Sequence, residues 1–259
     1  MDELWPSYSN ISAERRGDVA LITLQRPNAA NALNKATVEE LSDALAIVSR
    51  ESAVRAMLLT GSGNKVFCAG ADLKERRANP GKDWELRRPL LKFWNELWML
   101  PKPLIIAANG HAAGGGFELL MLADAVIVSE SAQFWLPEIE WGGIPGGWGT
   151  QLLPRLVGPV RARWLALSSA RLSAAEVVTL GLATHCVPQE RVLERALEVA
   201  SQLAARPVAA VAAAKEALRH ALSTPLAMGV EFEDRLLQIA TASPERQAGL
   251  ERFAKGGRA

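Results

Sequence analysis

The chain predicts an α/β fold whose last third is purely helical. Three observations lead there: short apolar runs alternate with amphipathic stretches up to Thr150, nearly every later segment repeats at helical spacing, and no linker or internal repeat divides the two regions. Strands alternating with helices argue for a mostly parallel sheet with right-handed crossovers. With 259 residues, 49% hydrophobic and 22% charged, the chain can bury a sizeable core. The same proportions exclude disordered, collagenous and disulfide-framework classes.

Residues 19–24 run apolar beside a turn-forming RPNAAN, and 54–60 and 104–108 are short apolar runs closed by glycine or asparagine, all reading as buried strands. Between the first two, residues 37–49 put Val38, Leu41, Leu45 and Val48 at helical spacing behind a Thr37 cap. Residues 84–98 form a second amphipathic helix with Trp84, Leu91, Trp94 and Trp98 near one stripe. After Asn109 come a glycine turn, a helix over 115–123 and a strand over 125–128. The apolar stretch 117–128 is shorter than the roughly 20 residues needed to cross a bilayer and carries Glu118 and Asp124, so it reads as buried helix and strand. Beyond Thr150, residues 151–157, 159–167, 173–180, 192–204, 207–221 and 225–240 read as helices, and only 184–187 as strand. The alanine-rich run 209–214 keeps helical periodicity through Val208, Val211, Lys215 and Leu218.

A balance of 29 basic and 28 acidic side chains, net +1, offers no general attraction to nucleic acid or anionic lipid. The opening MDELWPSYSN is acidic and polar where a secretory signal needs basic residues and an apolar run, so the expectation is a cytoplasmic protein. Cys68 and Cys186 lack metal-ligand or framework spacing and are expected as free thiols. His111, His185 and Tyr8 nearly exhaust the usual neutral-pH proton carriers, so acid/base chemistry falls to carboxylates.

Three segments offer chemistry. In KVFCAGADL, residues 65–73, a strand end gives way to small residues, either a plain turn with Gly70 at positive φ or a close approach for a ligand. In NGHAAGGGFE, residues 109–118, three glycines precede a helix whose first turn carries Glu118. Such a start exposes N–H groups suited to an anion or developing oxyanion, although glycines also serve tight packing. The helix is apolar all round, which places Glu118 inside, and a buried carboxylate is costly without partners. GHAAGGG does not match the dinucleotide-binding G-x-G-x-x-G. In PEIEWGGIPGGWGTQ, residues 137–151, two glutamates open an apolar glycine loop, which is either a mobile surface loop or the source of a second inward carboxylate. Paired with Glu118, that carboxylate would give an acid/base couple, since like charges push two pKa values apart.

FCAGADL, GGGFEL and AQFWLPEI followed by GGIPGGWGTQLLPRLVG, in that order, together with RPNAANALN and the C-terminal helices, resemble the enoyl-CoA hydratase (crotonase) family over essentially the whole chain. The resemblance implies a spiral of repeated ββα units over residues 1–190, an acyl-CoA-binding catalytic core, and a helical oligomerisation region over 191–259 that packs homotrimers or dimers of trimers. It replaces the generic parallel sheet. It further implies that the N–H groups of Ala71 and Gly115 form an oxyanion hole and that Glu118 and Glu138 are catalytic. Coenzyme A would enter only as part of the substrate thioester, along Pro27, Ala30, Ala32, Lys65, Ala69 and Ala71, with no metal and no resident cofactor. The reaction expected is syn addition of water across C2=C3 of a 2-enoyl-CoA. An enoyl-CoA delta-isomerase, needing one base at Glu138, and an acyl-CoA hydrolase or C–C lyase are the alternatives; a non-catalytic acyl-CoA binder is the rival outside enzymes.

Trp148 stands where relatives usually have glycine, and Trp94, Trp98, Trp135 and Trp141 add bulk nearby. These tryptophans either fill the core or a trimer interface, or line the acyl pocket and favour a short, branched, cyclic or aromatic acyl group; Trp94, Trp98, Trp141 and Trp148 are the pocket candidates. The ending ERFAKGGRA is less basic than is common in the family, so Lys255 is not assigned to a coenzyme phosphate.

Overall fold

A computed structural model describes residues 4–255, so the final GGRA and the first three residues lie outside the described region. Each turn of the chain lays one strand in a large sheet and the next in a small one. β1 (Ile11–Arg16) and β2 (Val19–Leu24) form an antiparallel hairpin; β3 (Ala56–Gly61), β5 (Leu104–Ala108), β7 (Ala125–Ser129) and β10 (His185–Val187) add in parallel, in the order β1-β2-β3-β5-β7-β10. The second sheet runs β4 (Val66–Cys68), β6 (His111–Ala113), β8 (Gln133–Trp135) and β9 (Leu172–Ser173), parallel except for the last pair. The expected parallel pairing is therefore real, but it is split between two sheets by the repeated ββα turn.

The central strands of the large sheet, β2, β3, β5 and β7, are buried on both faces, as their apolar runs require. Val19, Leu21, Leu58, Ile105 and Ile127 face Ala196, Val199 and Ala200 of the helix α8 (Val192–Ala204), while the alternate residues Ile22, Leu59, Ile106 and Val128 enter the main core. That core also takes the apolar face of α1 (Lys35–Arg50) and Phe93, Trp94 and Leu97 of α3 (Asp83–Trp98). The cap of α1 is Asn34 rather than Thr37: Asn34 Oδ1 accepts the Thr37 N–H at 2.9 Å. The stripe read along α3 also shifts, because Trp84 stands at the helix start and is largely exposed.

Among the remaining helices, α2 (Leu73–Ala78), a short helix beside the sheets, has no counterpart in the sequence reading and α4 (Gly115–Leu120) stops short of the 115–123 read there, while α5 (Gly149–Val157), α6 (Pro159–Ser168) and α7 (Ala174–Thr179) lie where the spacing predicts helices and complete the spiral. Past α8, the helices α9 (Val208–Ala221), α10 (Leu226–Thr241) and α11 (Pro244–Ala254) bury almost nothing, Leu236 being the one fully covered hydrophobic residue among them. α9 is attached by polar links: Lys215 Nζ donates to the Lys102 carbonyl at 2.7 Å and pairs with Asp124, Arg219 Nη1 donates to the Trp98 carbonyl at 2.8 Å, and Arg155 Nε donates to the Leu222 carbonyl at 3.1 Å. Cys68 is a buried free thiol and Cys186 an exposed one. No helix among the described residues is long and apolar enough to cross a membrane.

Candidate active site

In the small sheet β4 and β6 end side by side, and there the backbone comes too close for side chains. A Cβ on Gly116 would lie 2.1 Å from the Cys68 carbonyl oxygen, and one on Gly70, at φ +83°, would lie 2.7 Å from the Gly115 nitrogen. This contact is the physical reason for the small residues in CAGAD and GGG. It brings the 69–71 backbone against the start of α4, with Ala71 and Gly115 both lining a cavity of about 680 Å³. Ala71 bridges Leu33 through its neighbours: Leu33 N–H donates to the Gly70 carbonyl at 2.7 Å, and Asp72 N–H to the Leu33 carbonyl at 3.1 Å. In that parallel pairing the Ala71 N–H points away from Leu33. The Gly115 N–H is a first-turn amide of α4 with no intrahelical acceptor.

Glu118, in the first turn of α4, is only 2% exposed. Its carboxylate accepts the Gly147 N–H at 2.8 and 2.9 Å and the Gly149 N–H at 2.8 Å. The glycine loop is therefore folded over this carboxylate: a Cβ on Gly147 would fall 2.5 Å from Glu118 Oε2, and one on Gly149 2.6 Å from Oε1. Two side chains of α3 hold the loop from behind. Arg87 Nη2 donates to the Gly146 carbonyl at 2.8 Å and the Trp94 indole N–H to the Gly147 carbonyl at 2.7 Å. Glu138 opens a short 3₁₀ turn, Glu138–Trp141, and its Oε1 would sit 2.6 Å from a Cβ on Gly114, which is at φ +51°. Its Oε2 is buried with no hydrogen-bond partner.

Burial pushes Glu118 up to about 7, the Glu138 charge adding to the rise while the Gly149 and Gly147 amides and Arg87 pull it back. Burial likewise raises Glu138 above the ordinary carboxylate range, against its own backbone N–H and the charge of Arg76. Two inward carboxylates that each hold a proton more tightly than usual can pass one between themselves and a bound molecule. The neighbouring Cys68 takes no part as a nucleophile, because burial pushes its thiol up to about 12.

The residues expected along coenzyme A divide. Ala69 and Ala71 line the cavity, while Pro27 and Lys65 are exposed beside it. The Ala30 carbonyl accepts the Ala69 N–H at 3.0 Å and the Lys65 carbonyl the His111 N–H at 2.9 Å, so both oxygens already hold this corner together. Ala32 needs correction as a ligand contact: it is buried and its carbonyl is turned inward to Arg26 Nη1 at 2.5 Å. Arg26 also pairs with Asp72 at 2.9 Å, and this cation, with the Lys74 and Glu75 amides, outweighs burial and holds the Asp72 carboxyl below its ordinary range.

The tryptophan candidates need a sharper correction. Trp141 lines the cavity and is 67% exposed. Trp94 is wholly buried behind the wall, its N–H spent on the loop. Trp98 and Trp148 pack on each other with ring centroids 5.3 Å apart, away from the cavity lining, and Trp135 lies under the Arg171 guanidinium at 4.4 Å. Trp148 occupies a left-handed conformation, φ +73°, where glycine would sit without strain. The sequence reading missed Trp84, Leu73, Arg76, Arg77 and Arg87, all on the cavity wall, because charged residues at helical spacing look like a solvated face until the cavity is seen.

The profile of the family described as Enoyl-CoA hydratase/isomerase matches residues 14–258. The chain is 41% identical over 247 residues to a probable enoyl-CoA hydratase of Rhizobium meliloti, covering 95% of each, and 39% identical to the mitochondrial enoyl-CoA hydratase of Pongo abelii, covering 96% of this chain and 86% of that one. In structure it superposes on the enoyl-CoA hydratase of Bacillus anthracis with a TM-score of 0.93 at 37% identity, covering 96% and 97% of the two chains. A two-sheet spiral, an inward glutamate pair and relatives matched over nearly their whole length lead to one conclusion: this chain belongs to the enoyl-CoA hydratase/isomerase family.

Proposed function

We propose that the chain is an enoyl-CoA hydratase, a hydro-lyase that adds water syn across C2=C3 of a 2-enoyl-CoA to give a 3-hydroxyacyl-CoA. One observation carries the reading: a buried carboxylate, Glu118, and a half-buried one, Glu138, line one cavity with Ala71 and Gly115. The amides receive the thioester oxygen and stabilise the enolate that forms when hydroxide adds to C3; removing one such donor costs about 3–4 kcal/mol in a comparable hole. Glu118, fixed by the Gly147 and Gly149 N–H groups, orients the water and takes its proton. Glu138, whose Oε2 has no hydrogen-bond partner among the described residues, delivers a proton to C2. The hydroxyl ends on C3 and the hydrogen on C2, so the pair returns to its starting proton count. An isomerase needs one base only, and the elaborate seat of Glu118 would then have no role.

The chemistry calls for no resident group: coenzyme A arrives and leaves with the acyl chain, along Ala69, Ala71 and the exposed side of Pro27 and Lys65. The near-neutral charge argues against nucleic acid as a partner. Exposed Leu218, Leu226, Leu237 and Phe253 on the last three helices support a homotrimer or a dimer of trimers. The free thiols of Cys68 and Cys186 fit a reducing cytoplasm.

The test is the loss of conjugated-enoyl absorbance when protein is mixed with crotonyl-CoA or a bulkier enoyl-CoA, with the product analysed for a 3-hydroxyl group. Fast loss with that product supports the hydratase. Retention of both thioesters with intact coenzyme A binding would overturn it.

A further inference from the structure

The wall of the cavity contributed by α2 and α3 carries three guanidinium groups, those of Arg76, Arg77 and Arg87. Among the described residues, Arg76 alone of the three has a carboxylate in ion-pair range, that of Asp83 on the same wall. Arg76 lies 3.8 Å from Asp83, whose side chain is 68% exposed; Arg87 donates to a neutral carbonyl, that of Gly146; and Arg77 has no hydrogen-bond or ion-pair partner among the described residues. The charges of Arg87 and Arg76 also reach Glu118 and Glu138, each pulling that carboxyl down against burial.

Geometry assigns this wall to the far end of the acyl group. Ala71 and Gly115 fix C1 and the two glutamates flank C2 and C3, so C4 and beyond are left the part of the lining that comes from α2 and α3. A hydrocarbon tail could lie on Leu73, Trp84 and Leu90 of the same wall but would leave the guanidinium groups without an acceptor. A carboxylate would take paired N–H donors in the planar fork that arginine presents.

We propose that the acyl group carries a second carboxylate, recognised by Arg76 and Arg77 with Arg87 beside them, which makes the substrate class the monothioester of an unsaturated dicarboxylic acid. The proposal rests on the hydratase reading of the same cavity. The coenzyme phosphates are the other anions that could meet this wall, and the experiment separates the two.

The kcat/KM values for the coenzyme A monothioesters of trans-2-pentenedioic and trans-2-hexenedioic acid are compared with those for trans-2-pentenoyl- and trans-2-hexenoyl-CoA, in the native protein and in Arg76→Gln and Arg77→Gln. The expected result is a preference for the diacid of roughly tenfold or more at equal carbon number, falling toward parity in the variants, with inhibition by free coenzyme A unchanged. A native ratio at or below one overturns the proposal, as does a ratio that neither variant moves. Equal weakening of both acyl series and of free coenzyme A would assign the arginines to phosphate and also overturn it. If no thioester is hydrated, the hydratase reading fails on its own, and the calorimetric affinity ratio of the same diacid and monoacid thioesters decides the subsite.

Discussion

The indole N–H of Trp94 donates to the carbonyl of Gly147 while the N–H of that same glycine donates to Glu118, so one residue carries the link from the buried core to the inward carboxylate. Arg87 holds the preceding carbonyl in the same way. The loop amides are aimed at Glu118 because their carbonyls are anchored from α3.

Trp94→Phe removes that anchor and leaves a smaller ring in a wholly buried site. It should lower kcat by about tenfold with little effect on KM, and cost about 1–3 kcal/mol of stability through the unsatisfied Gly147 carbonyl. Steady-state kinetics and urea unfolding check both halves; loss of stability with kcat intact would reduce Trp94 to packing.

Glu118→Gln and Glu138→Gln keep shape but remove proton transfer. Each should reduce kcat by about 10²–10⁴ while coenzyme A affinity stays near native. Near-normal hydration by Glu118→Gln would refute the two-carboxylate mechanism.

The pH profile follows from the sign of the shifts. Both carboxyls are raised, so each proton is held to higher pH than in an ordinary glutamate, and the state with one shared proton extends to neutrality. kcat/KM for crotonyl-CoA should fall on the alkaline side as the last proton leaves with an apparent value of about 7. Arg87 favours the ionised Glu118, so Arg87→Met should move that limb to higher pH; an unmoved limb would separate Arg87 from the titration.

Trp148→Gly relieves a left-handed residue but removes the packing on Trp98. The expected net effect is a loss of about 1–2 kcal/mol with the ranking of acyl chains unchanged. Trp141→Ala should do the reverse, altering acyl preference with little change in thermal stability, since Trp141 lines the cavity and is mostly exposed.

Strands and helices with a long apolar repeat were legible from residue spacing: β2, β5 and α8 fall where their patterns predict. β4, β6 and β8 are three residues each, too short for any period to register, and only the family resemblance supplied the second sheet. Glu118 was legible because an apolar helix surrounds it. The cavity wall was not, because Arg76, Arg77 and Trp84 acquire their role from where α2 and α3 turn, and that turn depends on the Arg26–Asp72 pair across the sequence. The tryptophans misled for a related reason: bulk near a site in sequence says nothing about which side of a peptide it occupies.

The polar fastening of α9 sets an order of disassembly. A segment held by lysine and arginine links, with scarcely any apolar burial beneath it, opens at lower free energy than the doubly covered sheet. In an isolated subunit, salt or mild denaturant should release residues 208–255 first and leave the spiral folded, so that limited proteolysis yields a discrete core ending near the close of α8, while the proposed homotrimer would protect the same stretch. Hydrogen exchange in this arm would then serve as a gauge of assembly.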